Sequence, residues 1–111
     1  MANSSNFDRV GEFHQAFSLP VESRPVVPDD RTIRLRLALL LEEFHELADA
    51  TCQQPSAAQR AFLDTLSRAR EQLELLTDFN VDLVEVADAL TDINYVTYGA
   101  GHTFGIDLNA T

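Results

Sequence analysis

Apolar residues recur at helical spacing along most of this chain, and no stretch alternates apolar and polar positions long enough to make a strand. The pattern predicts an all-α fold of four helices. The first covers roughly residues 5–18, with Phe7, Val10, Phe13 and Phe17 on one side and His14 beside them. Pro20, Pro25 and Pro28 then impose an extended connector, because proline fixes φ and lacks an N–H donor. Asp29 or Asp30 caps a second helix that runs to about Thr51. Gln53-Gln54-Pro55-Ser56 breaks it, and Ser56 caps a third from about Ala57 to Leu76, whose apolar positions are Ala58, Ala61, Phe62, Leu66, Ala69, Leu73 and Leu76. A fourth spans roughly 80–102 and stops at Gly101 and Gly105.

The second helix reads Leu39-Leu40-Leu41-Glu42-Glu43-Phe44-His45-Glu46-Leu47. Its expected core stripe is Leu37, Leu40, Leu41, Phe44, Leu47 and Ala48. Glu43 and Glu46, i and i+3, fall on the other side as neighbours, alongside Leu35 and Leu39. Leucines on both sides imply a helix buried on both, so these carboxylates are expected to face an enclosed space. On the fourth helix Leu83, Val86, Leu90, Ile93 and Thr97 make one face, and Glu85, Asp88, Asp92 and Tyr95 stack on the opposite one.

Charge sharpens this picture. The 111 residues carry 8 basic against 18 acidic side chains, a net charge of −10, and every basic residue is arginine. From Glu71 onward there are 8 acids and no arginine or lysine, so the usual i,i+4 compensation is missing. A surface this acidic argues against a nucleic-acid backbone or an anionic membrane as partner. No apolar run approaches the roughly 18 residues of a membrane span. Met1 to Asn6 lack the basic start and apolar stretch of a secretory leader, so a cytoplasmic protein is expected. Cys52 is the single cysteine, which leaves neither an intrachain disulfide nor a cysteine metal site. The length suits one domain, residues 1–111, that completes a small core by oligomerising.

Two helices bearing i,i+3 or i,i+4 carboxylates can offer hard oxygen ligands to Mg²⁺ or Mn²⁺. A solvated acidic face is the plainer alternative. A di-iron centre would need two Glu-x-x-His pairs. Glu42 and His45 form one, but Gly11 precedes His14 and Gly99 precedes His102 at the matching positions, so His45 is read as a surface or outer-shell residue.

The segment Leu41 to Leu47, followed by Glu85-Val86-Ala87-Asp88-Ala89-Leu90-Thr91-Asp92-Ile93-Asn94-Tyr95-Val96-Thr97-Tyr98-Gly99, resembles the all-α nucleoside-triphosphate pyrophosphohydrolases, which include MazG-like proteins, dimeric dUTPases and phosphoribosyl-ATP pyrophosphohydrolases. Glu12-Phe13-His14, the proline-rich connector and Gly105-Ile106-Asp107 also look like the MazG-like branch. The resemblance implies a four-helix domain that forms its bundle by oligomerisation, as a homodimer or homotetramer. It implies Mg²⁺- or Mn²⁺-dependent cleavage between the α- and β-phosphates of a nucleotide, serving housecleaning of nucleotide pools. It places metal ligands at Glu43 and Glu46. On the fourth helix Glu85 and Asp88 match Glu-x-x-Asp literally, whereas counting back from Tyr95 to Gly99 favours Asp88 and Asp92, with Glu85 auxiliary. Glu42 would position or deprotonate the attacking water. Arg34 and Arg36 are phosphate-contact candidates, with Arg36 preferred. Asn94 is a candidate for hydrogen bonding to a base or to a partner subunit, and Phe13, His14 and Phe17 either stack on a base or pack the core. The alternative function is a non-catalytic helical interaction module or a nucleotide sensor without turnover.

Overall fold

The computed structural model describes residues 5–109; the leader reading at Met1 to Ser4 and the last two residues lie outside them. Four α-helices follow one another, α1 (Asn6–Ala16), α2 (Asp30–Thr51), α3 (Ala57–Leu73) and α4 (Leu83–Phe104), and the described residues contain no strand. The described residues divide into two compact units: 28–80, holding α2 and α3, and 5–27 with 81–109, holding α1 and α4. No helix among the described residues is long and apolar enough to cross a membrane.

Each helix begins on a side-chain cap that satisfies otherwise unpaired amide donors. Ser5 and Ser56 form capping boxes with Asp8 and Gln59. Asp29 accepts from the Thr32 amide at 2.8 Å, and Asp82 accepts from the amides of Val84 and Glu85. The last contact starts α4 a little later than the sequence pattern suggests. α3 stops at Leu73 rather than Leu76 because the chain tightens there into i to i+3 bonds, Leu75 N–H to Gln72 and Leu76 N–H to Leu73. The Arg34 guanidinium then donates to the Leu76 carbonyl at 2.9 Å, and the Asp78 amide donates to Asp30 at 2.8 Å. These two bonds tie the exit of α3 to the start of α2.

The Thr32 amide holds the Asp29 carboxyl below its ordinary pKa, aided by the Thr32 side chain and by Arg31 and Arg34, against a smaller opposing effect of desolvation. A carboxylate lowered by folding stabilises above its unfolded pKa, and that contribution fades as pH falls through the folded value. Asp29→Ala is therefore expected to melt below wild type at pH 7, with the gap closing as the buffer is taken into the acid range. Thermal melts across pH check this; a gap independent of pH would contradict it.

Within the α2–α3 unit the core consists of Ala48, Leu63 and Leu66, with Leu41 and Cys52 packed against it. The helices meet along a seam of period 3 and 4. The less exposed positions at this spacing are Ala38, Leu41, His45 and Ala48 on α2, with Cys52 at its C-cap, and Leu63, Leu66, Arg70 and Leu73 on α3. This differs in part from the expected stripes. Leu66 is buried as expected, but Leu63 rather than Phe62 is buried beside it, and Leu37, Leu40, Phe44 and Leu47 stay about half exposed.

In the α1/α4 unit, the tail folds back on α4. Gly105 takes a left-handed conformation (φ 71°), its amide donates to His102 and Gly101, and the Ile106 amide donates to the Gly101 carbonyl at 2.8 Å, a Schellman closure. Gly101 is buried under this turn, and a Cβ there would lie 2.9 Å from Leu108 Cγ. Asn6 at the start of α1 donates to the Asn109 side chain at 2.7 Å and to the Tyr98 hydroxyl at 3.4 Å, joining helix start, helix and tail. The Phe13 and Phe17 rings, which the sequence assigns either to the core or to stacking on a base, lie 4.5 Å apart against each other and remain exposed. His14 Nδ1 donates to the Pro20 carbonyl at 2.9 Å, which turns the connector back along α1.

Candidate functional site

On α2 the carboxylates sort by helical position. Glu43 and Glu46 project to the side away from the α3 seam, next to Leu35 and Leu39. The Glu43 carboxyl is pushed above its ordinary range, first by the negative charge of Glu46, then by desolvation, by a hydrogen bond shared with Glu46 and by Glu42. Two carboxylates this close repel when both are ionised, and a divalent cation relieves that repulsion. Their oxygen-only donor set fits a hard cation such as Mg²⁺ or Mn²⁺.

Glu42 lies about 100° further round the helix, at the edge of the α3 seam. Its Oε1 is 3.8 Å from Nη2 of Arg70 on α3. His45 is more enclosed than a surface residue: its side chain is 13% exposed, Nε2 lies 3.8 Å from Asp49, and Nδ1 is buried with no hydrogen-bond partner.

On α4, Glu85, Asp88 and Asp92 occupy one stripe with Tyr95, all exposed within the unit. Glu85 and Asp88 are i,i+3 neighbours and Asp88 and Asp92 are i,i+4 neighbours, so either pair can chelate from one helix. No cluster of three or more metal-ligating side chains is assembled among the described residues. Each unit thus carries a carboxylate face rather than a closed metal cage.

A family model of phosphoribosyl-ATP pyrophosphohydrolase matches residues 10–111. The chain belongs to this family. It is thereby a member of the MazG-like nucleoside-triphosphate pyrophosphohydrolase superfamily, and the all-helical fold agrees. The match runs through both compact units. An uncharacterized protein of Acanthamoeba polyphaga mimivirus is 30% identical over 110 residues, which cover 96% of this chain and 33% of the viral protein. The chain therefore spans about a third of the length of that curated relative. No solved structure matches it significantly.

The basic side chains nearest these acidic faces are few. Arg34 is committed to the Leu76 carbonyl and serves the fold. Arg36 is half-buried and lies seven residues before Glu43, almost in phase with it and about 10.5 Å along the axis. Asn94 lies nine residues after Glu85, half a turn out of phase with the acidic stripe. It opens into a cavity shared with Asn6, Phe7, Arg9, Tyr98 and Asn109.

Two features escape the sequence reading. Arg70 faces Glu42, and its signal was available: it completes the α3 seam spacing of Leu63, Leu66 and Leu73. The Asn6, Tyr98 and Asn109 cluster joins residues about a hundred positions apart, and no local pattern announces it.

Proposed function

We propose that this protein is a divalent-metal-dependent nucleoside-triphosphate pyrophosphohydrolase, cleaving the α–β phosphoanhydride of a (deoxy)nucleotide to the monophosphate and pyrophosphate. The family supplies the activity class, pyrophosphohydrolysis of a nucleotide-like substrate. The observation that carries the finer reading is the Glu43–Glu46 pair, two abutting carboxylates whose mutual repulsion lifts Glu43. We assign Glu43, Glu46, Asp88 and Asp92 as ligands, with Glu85 auxiliary, and the whole chain as one acting domain.

A bound Mg²⁺ or Mn²⁺ supplies charge neutralisation for the phosphates and polarisation of a water. The rest belongs to the chain. Glu42 accepts the proton of the attacking water, whose oxygen forms the new bond to phosphorus as the phosphoanhydride bridge breaks. Arg36 contacts the phosphates, two helical turns from Glu43. Asn94, off the acidic stripe, hydrogen-bonds the base end of the substrate. The half-exposed Leu40, Phe44 and Leu47 of α2 and the Leu90 and Ile93 face of α4 support a bundle completed by further copies, a dimer or tetramer. A housecleaning role in the cytoplasm is the setting we assign.

Pyrophosphate release from a panel of nucleoside and deoxynucleoside triphosphates and phosphoribosyl-ATP, with and without Mg²⁺ or Mn²⁺, tests this. The expected result is equimolar monophosphate and pyrophosphate, abolished by chelator. Orthophosphate as the product, or no turnover across the panel, would overturn it; metal-dependent nucleotide binding without turnover would mark a sensor instead.

A further inference from the structure

We propose that Arg70 is a positioning residue that holds Glu42 apart from the Glu43–Glu46 pair, dividing three closely spaced glutamates into two cation ligands and one water-side base. This rests on the assignment of those glutamates made above.

The first support is placement. Arg70 occupies the α3 seam at a position whose spacing from Leu63, Leu66 and Leu73 calls for an apolar residue. The other α3 arginines, Arg60 and Arg68, lie on its exposed side, where Arg68 donates to Thr65. A seam position given to arginine forgoes hydrophobic burial. The ion pair does not return that loss as stability, because both side chains are 42% exposed and water screens their attraction.

The second support is choice of partner. An open cavity of about 490 Å³ between α2 and α3 is lined by three glutamates, Glu42, Glu71 and Glu74, and by Arg70 as its one basic side chain. Glu74, the C-cap of α3, is one turn further along the same segment, at i,i+4 to Arg70. The guanidinium instead approaches Glu42 on α2, at 3.8 Å. The cavity has room for water beside the Glu42 carboxylate.

The third support is what Glu42 would otherwise do. It stands i,i+4 to Glu46, so the two carboxylates are neighbours on α2. Freed from Arg70, Glu42 turns toward Glu46 and joins the cation-binding set. A third carboxylate tightens cation binding and removes the base from the water.

Two readouts move in opposite directions on this account. Arg70→Ala is expected to lower kcat about three- to fivefold with little change in KM, a partial loss of a general base's contribution, while Mn²⁺ binding, followed by electron paramagnetic resonance of the free ion, becomes severalfold tighter. Arg70→Lys keeps the charge and recovers most of kcat. In a Glu42→Gln background Arg70→Ala changes neither quantity, because the residue it positions is gone. A purely structural arginine gives a different pattern: weaker Mn²⁺ binding, raised KM, and the same effect with or without Glu42. That pattern, or an Arg70→Ala protein with wild-type kcat and Mn²⁺ affinity, overturns the inference while leaving the proposed function standing. A wild-type protein that neither binds Mn²⁺ nor releases pyrophosphate overturns both.

Discussion

Glu46→Gln and Asp92→Asn each lower pyrophosphate release by about 100-fold or more, with helical content unchanged. Both substitutions keep the shape of the side chain and remove one negative charge and one ionised oxygen donor. Ligands that touch the cation are expected to exceed the 10- to 100-fold losses typical of groups one shell further out. Both residues are exposed in their units, so the fold does not depend on them. Glu46→Gln carries a second consequence: it removes the largest influence on Glu43, whose carboxyl returns toward its ordinary range. Parallel assays of Glu85→Gln and Asp88→Asn decide the α4 pair. Loss at Asp88 and Asp92 with a milder defect at Glu85 is expected, and circular dichroism checks the fold throughout. Wild-type rates in both Glu46→Gln and Asp92→Asn would remove the carboxylates from the site.

Leu63→Ala is the substitution expected to damage stability most. Leu63 is 3% exposed and forms the α2–α3 core with Ala48 and Leu66. Truncating a leucine in such a place costs about 2–5 kcal/mol, the transfer loss plus the cavity left behind. Against a typical total of about 5–15 kcal/mol, that is a large share of the stability and lowers the denaturation midpoint clearly. Chemical denaturation monitored by circular dichroism measures it. A midpoint within error of wild type would mean that the seam is not where the hairpin derives its stability.

The sequence made the helices legible and the hairpin seam much less so. Asp29 and Ser56 announce two helix starts because a short acceptor ahead of an apolar period has few other uses. The Glu43–Glu46 adjacency follows from i,i+3 spacing alone, and the charge of Glu46 is the main influence that raises the Glu43 carboxyl. Of the expected α2 stripe, Leu41 and Ala48 pack in the α2–α3 core, whereas Leu37, Leu40, Phe44 and Leu47 stay about half exposed. The apolar stripe is wider than one neighbouring helix covers, and spacing alone does not say which part of it that neighbour takes. Arg70 was overlooked for a related reason: an arginine reads as solvent-facing until the partner helix is known to lie opposite. Asn6 and Asn109 meet across a sequence separation of 103 residues, which only the folded backbone reveals.

Crystals grown with Mn²⁺ and measured at the manganese absorption edge give the most direct reading of where a cation goes. An anomalous peak within bonding distance of carboxylate oxygens from Glu43, Glu46, Asp88 and Asp92 is the expected result. A fully loaded crystal with those side chains bare of manganese, and the ion bound elsewhere, would contradict the account.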